Sequence, residues 1–364
     1  MFVKGKTIPK DTIHKVLLIQ LGDIGDVVWA TPTFRAVKET YPGAAVSVLL
    51  RGGFGSLLQA DPSVQKIFEV EQYKGNPIKK ITQQIQFVRT LRHERFNLVF
   101  DLRSDDRGAF MSFLSGAPIR ATMIYPEILW RNLLFTHLVD PRSAEKRIYG
   151  AAEQSLRIVR EFGIAPQDTV PKLHVSAETS GRVKRLLDRE GVTTANRWIT
   201  LNPFSRWRYK EWGYEKWVRI MDWLWEEHGI STVIVGASDE ANRSITIVRQ
   251  CKGRVYNLTG RTTLDELAGV LRLSSLHMGV DSAAPHIAGA VGTPTITIYG
   301  PSDWRDWAPV GEMHHVVTPD RDCSPCYQKG CDGKGVSACL EELSVDRVRQ
   351  AIQESLSHGN RGTP

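Results

Sequence analysis

One stretch, from Leu276 to Gly300, constrains the fold more than any other part of the sequence. Within it, an apolar run ends at Val280, small and polar residues occupy 281–284, a short helical pattern follows, and a β-branched run covers 295–299. This order predicts a strand, a tight turn, a short helix and a second strand. In a parallel sheet, the strand's carboxyl end faces the helix N-terminus, whose free N–H groups and positive dipole end suit a phosphate. The alternative is that the Asp-Ser pair after the strand only caps the helix.

The same alternation of strand and helix patterns runs through both halves of the chain. It predicts an α/β protein with two doubly wound, parallel-sheet domains. Strands are predicted at 15–20, 45–50, 97–101, 198–202, 231–236, 254–260, 276–280 and 295–299. Helices are predicted at 27–40, 77–93, 145–162, 177–191, 214–228, 263–273 and 344–355. The proline-containing stretch 163–175 predicts the boundary, which gives domains at 1–170 and 171–345 and a last helix with its tail at 346–364.

The composition indicates a globular protein without a membrane-spanning segment. At 364 residues the chain is too long for one core, and no apolar run approaches the roughly 20 residues of a transmembrane helix. The first twelve residues lack the apolar region of a secretory signal, so we expect a cytoplasmic protein. Residues 125–139 are apolar with few breaks; we expect them in the core, with an interfacial helix as the alternative.

The charge balance narrows the class of partner. A net charge of +7 and a pI near 9.1 favour an acidic ligand or an anionic membrane surface. Zinc-finger, RRM and basic-zipper patterns are missing from the sequence, which argues against nucleic acid.

Four of the five cysteines lie close together near the end of the sequence: Cys323, Cys326, Cys331 and Cys339. In a chain expected to be cytosolic, such clustering favours a metal or paired thiols over a disulfide framework. Only the first two have the usual spacing of zinc ligands. A loop with reduced thiols, or one that is cross-linked late, is the plainer alternative.

The first predicted strand ends in the loop Gly22-Asp23-Ile24-Gly25-Asp26, where a dinucleotide-binding chain would carry its glycine fingerprint. The pattern GxGxxG is missing, and the next strand ends in Arg51 instead of the acid that holds a ribose. Two carboxylates at this helix start would repel a pyrophosphate. NADP-dependent hydride transfer is therefore a weak alternative, whereas an acid at a strand-helix turn is well placed to take a proton. From this pattern alone, Asp26 as a simple helix cap is the plainer interpretation.

Basic side chains mark two further candidate regions. Ser205 and Lys210 follow the predicted strand 198–202, where a lysine can meet a phosphate as a mobile point charge and a hydroxyl can add a hydrogen bond. After the strand 97–101, four arginines occur within one region: Arg103, Arg107, Arg120 and Arg131. They form either a solvated face or a patch for an anionic ligand.

Three motifs together resemble glycosyltransferase family 9, the ADP-heptose:lipopolysaccharide heptosyltransferases. They are the run LGDIGDVV at 21–28, the loop 202–212 with its lysine, and the run GVDSAAPH at 279–286. The resemblance extends from Lys15 to about Arg349 and includes a CxxC loop seen in some members. It implies a GT-B fold, in which two Rossmann-like domains face a cleft and the last helix crosses back to the first domain. It also implies inverting transfer of heptose from ADP-heptose to the lipopolysaccharide inner core, with no metal and no cofactor.

The resemblance implies roles for individual residues. In the first domain, Asp26 is the implied general base and Gly25 lies beside it at the acceptor, which Arg103 and Arg107 are expected to bind. Donor contacts are implied for Ser205, Lys210, Glu240, Thr262, Asp281, Ser282, Ala283 and His286. Among these, Lys210 and the helix start at Ser282 face the diphosphate, Asp281 faces the donor sugar, Glu240 the ribose and Thr262 the adenine.

Two other classes stay open at this point. One is a transferase for another nucleotide sugar in cell-surface glycan assembly, and the other is a non-catalytic nucleotide-binding module. A hydrolase built on Ser282 and His286 is disfavoured because the sequence has no GxSxG elbow. We expect a monomer that can contact the inner-membrane surface and that binds no nucleic acid.

Overall fold

The computed structural model describes residues 8–9, 11–71, 76–124, 128–140, 150–193 and 196–359. The chain divides into two compact units, Met1–Pro171 and Lys172–Pro364. None of the helices within the described ranges combines the length and the apolar composition that crossing a bilayer requires.

The first unit is built on a parallel sheet. Its strands are β1 (Lys15–Gln20), β2 (Ala45–Arg51), β3 (Lys66–Val70), β4 (Leu98–Asp101), β5 (Ile119–Met123) and β6 (His137–Val139), and they pair in the order β3-β2-β1-β4-β5-β6. Its helices are α1 (Ile24–Thr40), α2 (Pro77–His93), α3 (Asp106–Leu114), α4 (Leu129–Leu133) and α5 (Glu153–Arg160). The central strands are buried along almost all of their length, which explains why their sequences are continuous apolar runs.

The second unit repeats this plan. Its strands are β7 (Trp198–Asn202), β8 (Ser231–Ile234), β9 (Val255–Asn257), β10 (His277–Val280), β11 (Thr295–Ile298) and β12 (His314–Val317), which pair in the parallel order β12-β11-β10-β7-β8-β9. Its helices are α6 (Ala177–Arg189), α7 (Tyr214–His228), α8 (Ala241–Gln250), α9 (Leu264–Leu273), α10 (Ala283–Ala290), α11 (Trp304–Trp307), α12 (Ala338–Glu342) and α13 (Val345–Gly359). Two doubly wound parallel sheets, as the sequence predicts, are therefore confirmed.

Each sheet reverses its strand order once. In the first unit the chain winds outward from β1 to β3 and then restarts at β4 on the other side of β1. In the second unit it winds from β7 to β9 and restarts at β10, beside β7. Loops that leave the carboxyl ends of the two central strands diverge at such a switch point, and the crevice between them is where doubly wound sheets bind ligands.

The last helix, α13, packs onto the second unit. Its side chains Val348, Ile352 and Leu356 are buried in the same apolar cluster as Trp212 and Trp217. Spacing of four residues puts the three on one face, as in any amphipathic helix. The expectation that this helix crosses back to the first domain stays a prediction.

Most predicted elements match the structure within a few residues. Helix α1 begins at Ile24, one turn before the predicted start at 27, so Gly25 and Asp26 lie in its first turn. Of the helix predicted at 145–162, residues 145–149 lie outside the described residues, and the described helix covers Glu153–Arg160.

The prediction that 125–139 belongs to the core is wrong for α4. Leu129 and Leu133 are 72% and 76% exposed, and Trp130 is 42% exposed. Core positions in this stretch are taken by Phe135, Leu138 and Val139, at and just before the edge strand β6. This five-residue helix precedes an edge strand, where fewer neighbouring elements are available to cover its apolar side chains. Residues 125–127 lie outside the described residues.

Candidate active site

Asp26 and Arg103 meet at the switch point of the first sheet. Asp26 follows β1 and Arg103 follows β4, and Arg103 Nη1 donates to Asp26 Oδ2 across 2.6 Å. The same oxygen accepts the backbone N–H of Asp23 at 2.7 Å. Among the described residues, nothing donates to the other carboxylate oxygen, Oδ1. The carboxylate is thus anchored through one oxygen, while the second has its lone pairs available for an incoming proton.

Gly22 leaves the room that this pair occupies. A Cβ at this position would lie 2.3 Å from Asp26 Oδ2 and 2.6 Å from Arg103 Nη1. Both distances are far below van der Waals contact, so any larger residue would displace the pair. The glycine before Asp23 therefore serves close approach of side chains, and not the approach of a pyrophosphate.

A buried carboxyl, Asp101, holds the loop that carries Arg103. Its Oδ1 accepts the backbone N–H groups of Arg103 and Ser104, both at 3.2 Å, and Ser104 has a left-handed φ of 58°. Burial, followed by the nearby charge of Asp105, raises the pKa of Asp101 to about 7. Gly108 packs so tightly against it that a Cβ would lie 2.3 Å from Oδ1. Asp101 therefore positions Arg103 through hydrogen bonds to the backbone of its loop.

A small cleft opens beside Asp26, lined by Gln20, Asp26, Leu102, Arg103, Met123, Gln154 and Arg157. Of the predicted acceptor residues, Arg103 lines this cleft. Arg107 lies outside it, where its Nη2 contacts Leu21 O at 3.3 Å and Asp105 Oδ2 at 3.5 Å. Gly25 is half-buried in the first turn of α1. Gln154 and Arg157 could not be predicted from the sequence, because single polar residues on an amphipathic helix form no motif.

Lys210 and Asp281 meet at the switch point of the second sheet. Lys210 ends a single 3-10 turn after β7, Asp281 follows β10, and Lys210 Nζ lies 2.6 Å from Asp281 Oδ2. Ser205 Oγ donates to the backbone oxygen of Asp281 at 3.0 Å, which joins the two loops. Three of the predicted donor residues are thus brought together by direct contacts.

The helix after Asp281 presents its N-terminus at the same place. Ser282 occupies the N-cap position of α10, but its side chain makes no capping hydrogen bond, and its Oγ is buried without a partner in the described structure. The interpretation of Ser282 as a simple cap is therefore wrong. Ala283 opens the helix, and His286, which is 7% exposed, lies in its first turn.

Glu240 and Thr262 follow the next two strands along this edge of the sheet. Glu240 Oε2 accepts the N–H of Ala237 at 2.7 Å, and burial raises the pKa of its carboxyl. A Cβ on Gly236 would lie 2.6 Å from the same oxygen. Thr262 is half-buried just before α9. In the described part of the chain, neither residue bonds to the Lys210–Asp281 pair.

A hydrogen-bond and ion-pair network that has no motif in the sequence supports the loop that carries Lys210. Glu211 accepts the N–H of Ser205 at 3.0 Å and forms an ion pair with Arg243. From the other side, Ser337 Oγ donates to Tyr209 O at 2.6 Å. The segment that carries Lys210 is thus fixed on both flanks.

The four clustered cysteines have free thiols, as does Cys251. Cys339 is buried, and burial together with the nearby Cys331 raises the pKa of its thiol. Across the described ranges, His, Cys, Asp and Glu side chains form no group of three or more that could hold a metal ion. Whether these cysteines bind metal or become cross-linked stays a prediction.

Comparison with known proteins places these features in a family. The model of glycosyltransferase family 9 (heptosyltransferase) matches residues 84–337, well over half of the chain. Lipopolysaccharide heptosyltransferase 3 from Escherichia coli is 26% identical over 335 residues, covering 88% of this chain and 96% of the relative.

Solved structures share the fold over almost the whole length. A glycosyl transferase of family 9 from Veillonella parvula DSM 2008 superposes with a TM-score of 0.81 at 18% identity, covering 97% of this chain and 99% of that one. The E. coli ADP-heptose lps heptosyltransferase II gives a TM-score of 0.76 at 19% identity, with 95% and 99% covered.

The two doubly wound parallel sheets match these structures and have the GT-B fold. Within that fold class, the chain belongs to glycosyltransferase family 9, the heptosyltransferases.

Proposed function

We propose that this chain transfers heptose from ADP-heptose to the inner core of lipopolysaccharide, with inversion at the anomeric carbon. The observation that carries the proposal is the geometry of Asp26, whose Oδ2 accepts from Arg103 and whose side chain lines the adjoining cleft. The donor and the acceptor class are taken from the relatives, whose names specify ADP-heptose and lipopolysaccharide.

In the proposed reaction, an acceptor hydroxyl attacks the anomeric carbon of the donor from the face opposite the diphosphate. The new carbon–oxygen bond forms as the bond to the diphosphate oxygen breaks, and Asp26 Oδ1 takes the hydroxyl proton. ADP leaves as an anion. Displacement from the opposite face inverts the anomeric centre.

Residues of the second unit would stabilise the negative charge that develops on the departing diphosphate. Lys210 supplies a mobile cation, and the backbone N–H groups at the start of α10 supply fixed donors and a positive dipole end. Lys210 is bound to Asp281 in this structure. Donor binding would transfer Lys210 to the diphosphate and free Asp281 to accept hydrogen bonds from sugar hydroxyls. We propose that this pair takes the place of a bound metal at the leaving group.

We further propose that the first unit works at the cytoplasmic face of a membrane. Seven large apolar side chains of α2, α3 and α4 are between 42% and 76% exposed: Ile81, Ile85, Phe110, Phe113, Leu129, Trp130 and Leu133. Rings of Phe110 and Trp130 lie 5.3 Å apart, which joins α3 to α4. We call this set the apolar patch. The same three helices carry six basic residues and one acidic residue, a balance that suits an anionic lipid surface.

The deciding experiment is transfer from ADP-heptose to heptose-deficient lipopolysaccharide, followed by mass spectrometry and linkage analysis of the product. We expect one added heptose of inverted anomeric configuration, with or without EDTA. A panel of other ADP- and UDP-sugars tests the donor. Transfer from another sugar nucleotide would replace the donor in the proposal, and tight ADP binding without transfer from any donor would indicate a non-catalytic module.

A further inference from the structure

Helix α5 places an arginine in the cleft beside Asp26, and no described residue pairs with it. Arg157 lines this cleft, and its Nε is buried and makes no hydrogen bond. Within the described chain, the guanidinium forms no ion pair either. A buried N–H group without a hydrogen-bond partner is uncommon in native proteins. The position of Arg157 in the cleft therefore suits a negatively charged ligand.

The carboxylate one turn before Arg157 is paired with another arginine. Glu153 lies one turn before Arg157, at the spacing typical of a helical ion pair. However, both of its carboxylate oxygens accept from Arg160 Nη1, each at 2.9 Å. Within the cleft itself, Asp26 Oδ2 is already bound to Arg103. Among the described residues, no carboxylate therefore forms an ion pair with the guanidinium of Arg157 in this cleft.

The position of Arg157 relative to Asp26 is fixed by the packing of α5 on α1. Thr33 Oγ1 of α1 and Ser155 Oγ of α5 lie 2.7 Å apart and are both buried. Leu156, Ile158 and Val159 are fully buried around them. Asp26 lies in the first turn of the helix that also carries Thr33. The contact between the two helices therefore holds Arg157 in a fixed position relative to the base.

We infer that Arg157 binds an anionic substituent, a carboxylate or a phosphate ester, on the acceptor sugar whose hydroxyl is presented to Asp26. A guanidinium offers two parallel donors that fit either anion in bidentate geometry. The rest of the lining suits a sugar ring: Leu102 and Met123 are apolar, and Gln20 and Gln154 provide amides. Since Gln20 Oε1 already accepts the N–H of Gly22 at 3.2 Å, its NH2 group is what remains for a ligand.

This assignment rests on the proposed function, because it takes the first unit to bind the acceptor. It adds a specificity rule that the proposed function does not contain. An acceptor that lacks the anion should lose affinity, and the loss should depend on Arg157 and not on Arg103, which is committed to the base.

The test uses the full chain with Arg157→Gln, Arg157→Lys and Arg185→Gln, the last being an exposed arginine on α6 of the second unit. A lost charge-assisted hydrogen bond is worth about 1.5–3 kcal/mol, so Arg157→Gln should raise the acceptor KM roughly 10- to 100-fold. The donor KM should stay unchanged. Lysine should restore part of the effect, and Arg185→Gln should behave as wild type.

Chemically altered acceptors identify the anion. De-acylated, heptose-deficient lipopolysaccharide is used intact, after dephosphorylation, and after reduction of its carboxyl groups. The treatment that raises the acceptor KM of the wild type but leaves that of Arg157→Gln unchanged removes the group that Arg157 binds. If both proteins respond equally to both treatments, or if Arg157→Gln alters only the donor KM, the assignment is wrong.

Calorimetric titration of the intact acceptor separates this outcome from a failure of the proposed function. Weaker acceptor binding by Arg157→Gln, in a wild type that transfers nothing, would reject the transfer reaction and keep the subsite. Normal transfer by the wild type, with unchanged acceptor Kd and KM in the variant, would reject the subsite alone.

Discussion

Lys210 Nζ lies 2.6 Å from Asp281 Oδ2, across the switch point of the second sheet. The first sheet has an ion pair of the same length at its own switch point, between Asp26 and Arg103. The order of charge is reversed: the acid follows the first strand in one unit and the fourth strand in the other. In each unit the side chain proposed to act on substrate is thus held by an opposite charge from the neighbouring loop.

The Lys210–Asp281 pair predicts opposite effects of its two members on ADP binding. Lys210→Ala removes the cation, and a lost charge-assisted contact should weaken ADP binding roughly 10- to 100-fold. Asp281→Asn removes the competing carboxylate, so ADP should bind more tightly than to the wild type, although turnover should fall because the sugar loses an acceptor. Calorimetric titration with ADP, together with kcat for each variant, checks both. Equal ADP affinity in all three proteins would contradict the role given to the pair.

Asp26→Asn should lower turnover by about 10²- to 10⁴-fold, the usual contribution of a positioned base. The amide keeps an oxygen for the N–H of Asp23 but cannot take a proton. ADP affinity, which depends on the second unit, should not change. Asp23→Asn is the matched control, since Asp23 caps the same helix and pairs with Arg51. Comparable loss in both variants would mean that the helix start, and not a base, limits the reaction.

Gly22→Ala should reduce turnover while the protein stays folded. The added methyl group would lie 2.3 Å from Asp26 Oδ2, so the carboxylate must move. A shift of about 1 Å at a catalytic group can cost on the order of 10²-fold in rate. Gly43→Ala is the control, because its Cβ would meet nothing within 4 Å. Both are compared by kcat and by thermal unfolding, and a fully active Gly22→Ala enzyme would show that the Asp26–Arg103 geometry is not required.

Asp101 should make the folded state less stable as pH rises. Its pKa is about 7 in the folded protein and near 4 when unfolded, so between these values the folded state holds one more proton. Between pH 4 and pH 7, the titration of this group should then lower the free energy of unfolding by up to about 1.4 kcal/mol per pH unit. The stabilisation from Asp101 is fully present below pH 4 and is lost above pH 7. Asp101→Asn removes the titration and keeps Oδ1 as acceptor for Arg103. Urea unfolding at several pH values should show the two proteins diverging; parallel curves would mean that Asp101 is ionised throughout.

The sequence predicts the strands around both switch points and the edge strand β9, but not β5 or the edge strands β3, β6 and β12. Strands such as β1 and β10 are buried on both sides and appear as continuous apolar runs. The strands β3 and β12, at the sheet edges, are half-exposed and mix charged or histidine residues with apolar ones, and they were not predicted. Their pairing energy comes from the neighbouring strand, which a local pattern does not contain.

Site residues could be predicted where a motif carries them, as with Asp26, Lys210 and Asp281. Their ion-pair partners could not, since Asp26 and Arg103 are 77 positions apart and meet only because β4 pairs with β1. Arg157 is even harder to predict from the sequence than these partners are. Nothing local distinguishes it from Arg160, and only the structure shows that Arg160 pairs with Glu153 while no carboxylate of the described residues pairs with Arg157.

The apolar patch of the first unit should bind anionic bilayers. Leu129 and Leu133 are its most exposed members, so replacing both with serine should leave folding intact and lower partitioning into phosphatidylglycerol-containing vesicles roughly 10- to 100-fold. Binding should also fall with added salt, because the basic residues of α2 act over a Debye length of about 10 Å at 0.1 M.

Val310→Ser, at a site 41% exposed in the second unit, is the control. Vesicle flotation measures the binding, and turnover should drop for acceptor in vesicles but not for de-acylated acceptor in solution. If wild type and double variant float equally, or if the double variant instead abolishes a concentration-dependent dimer, the patch serves contacts other than lipid.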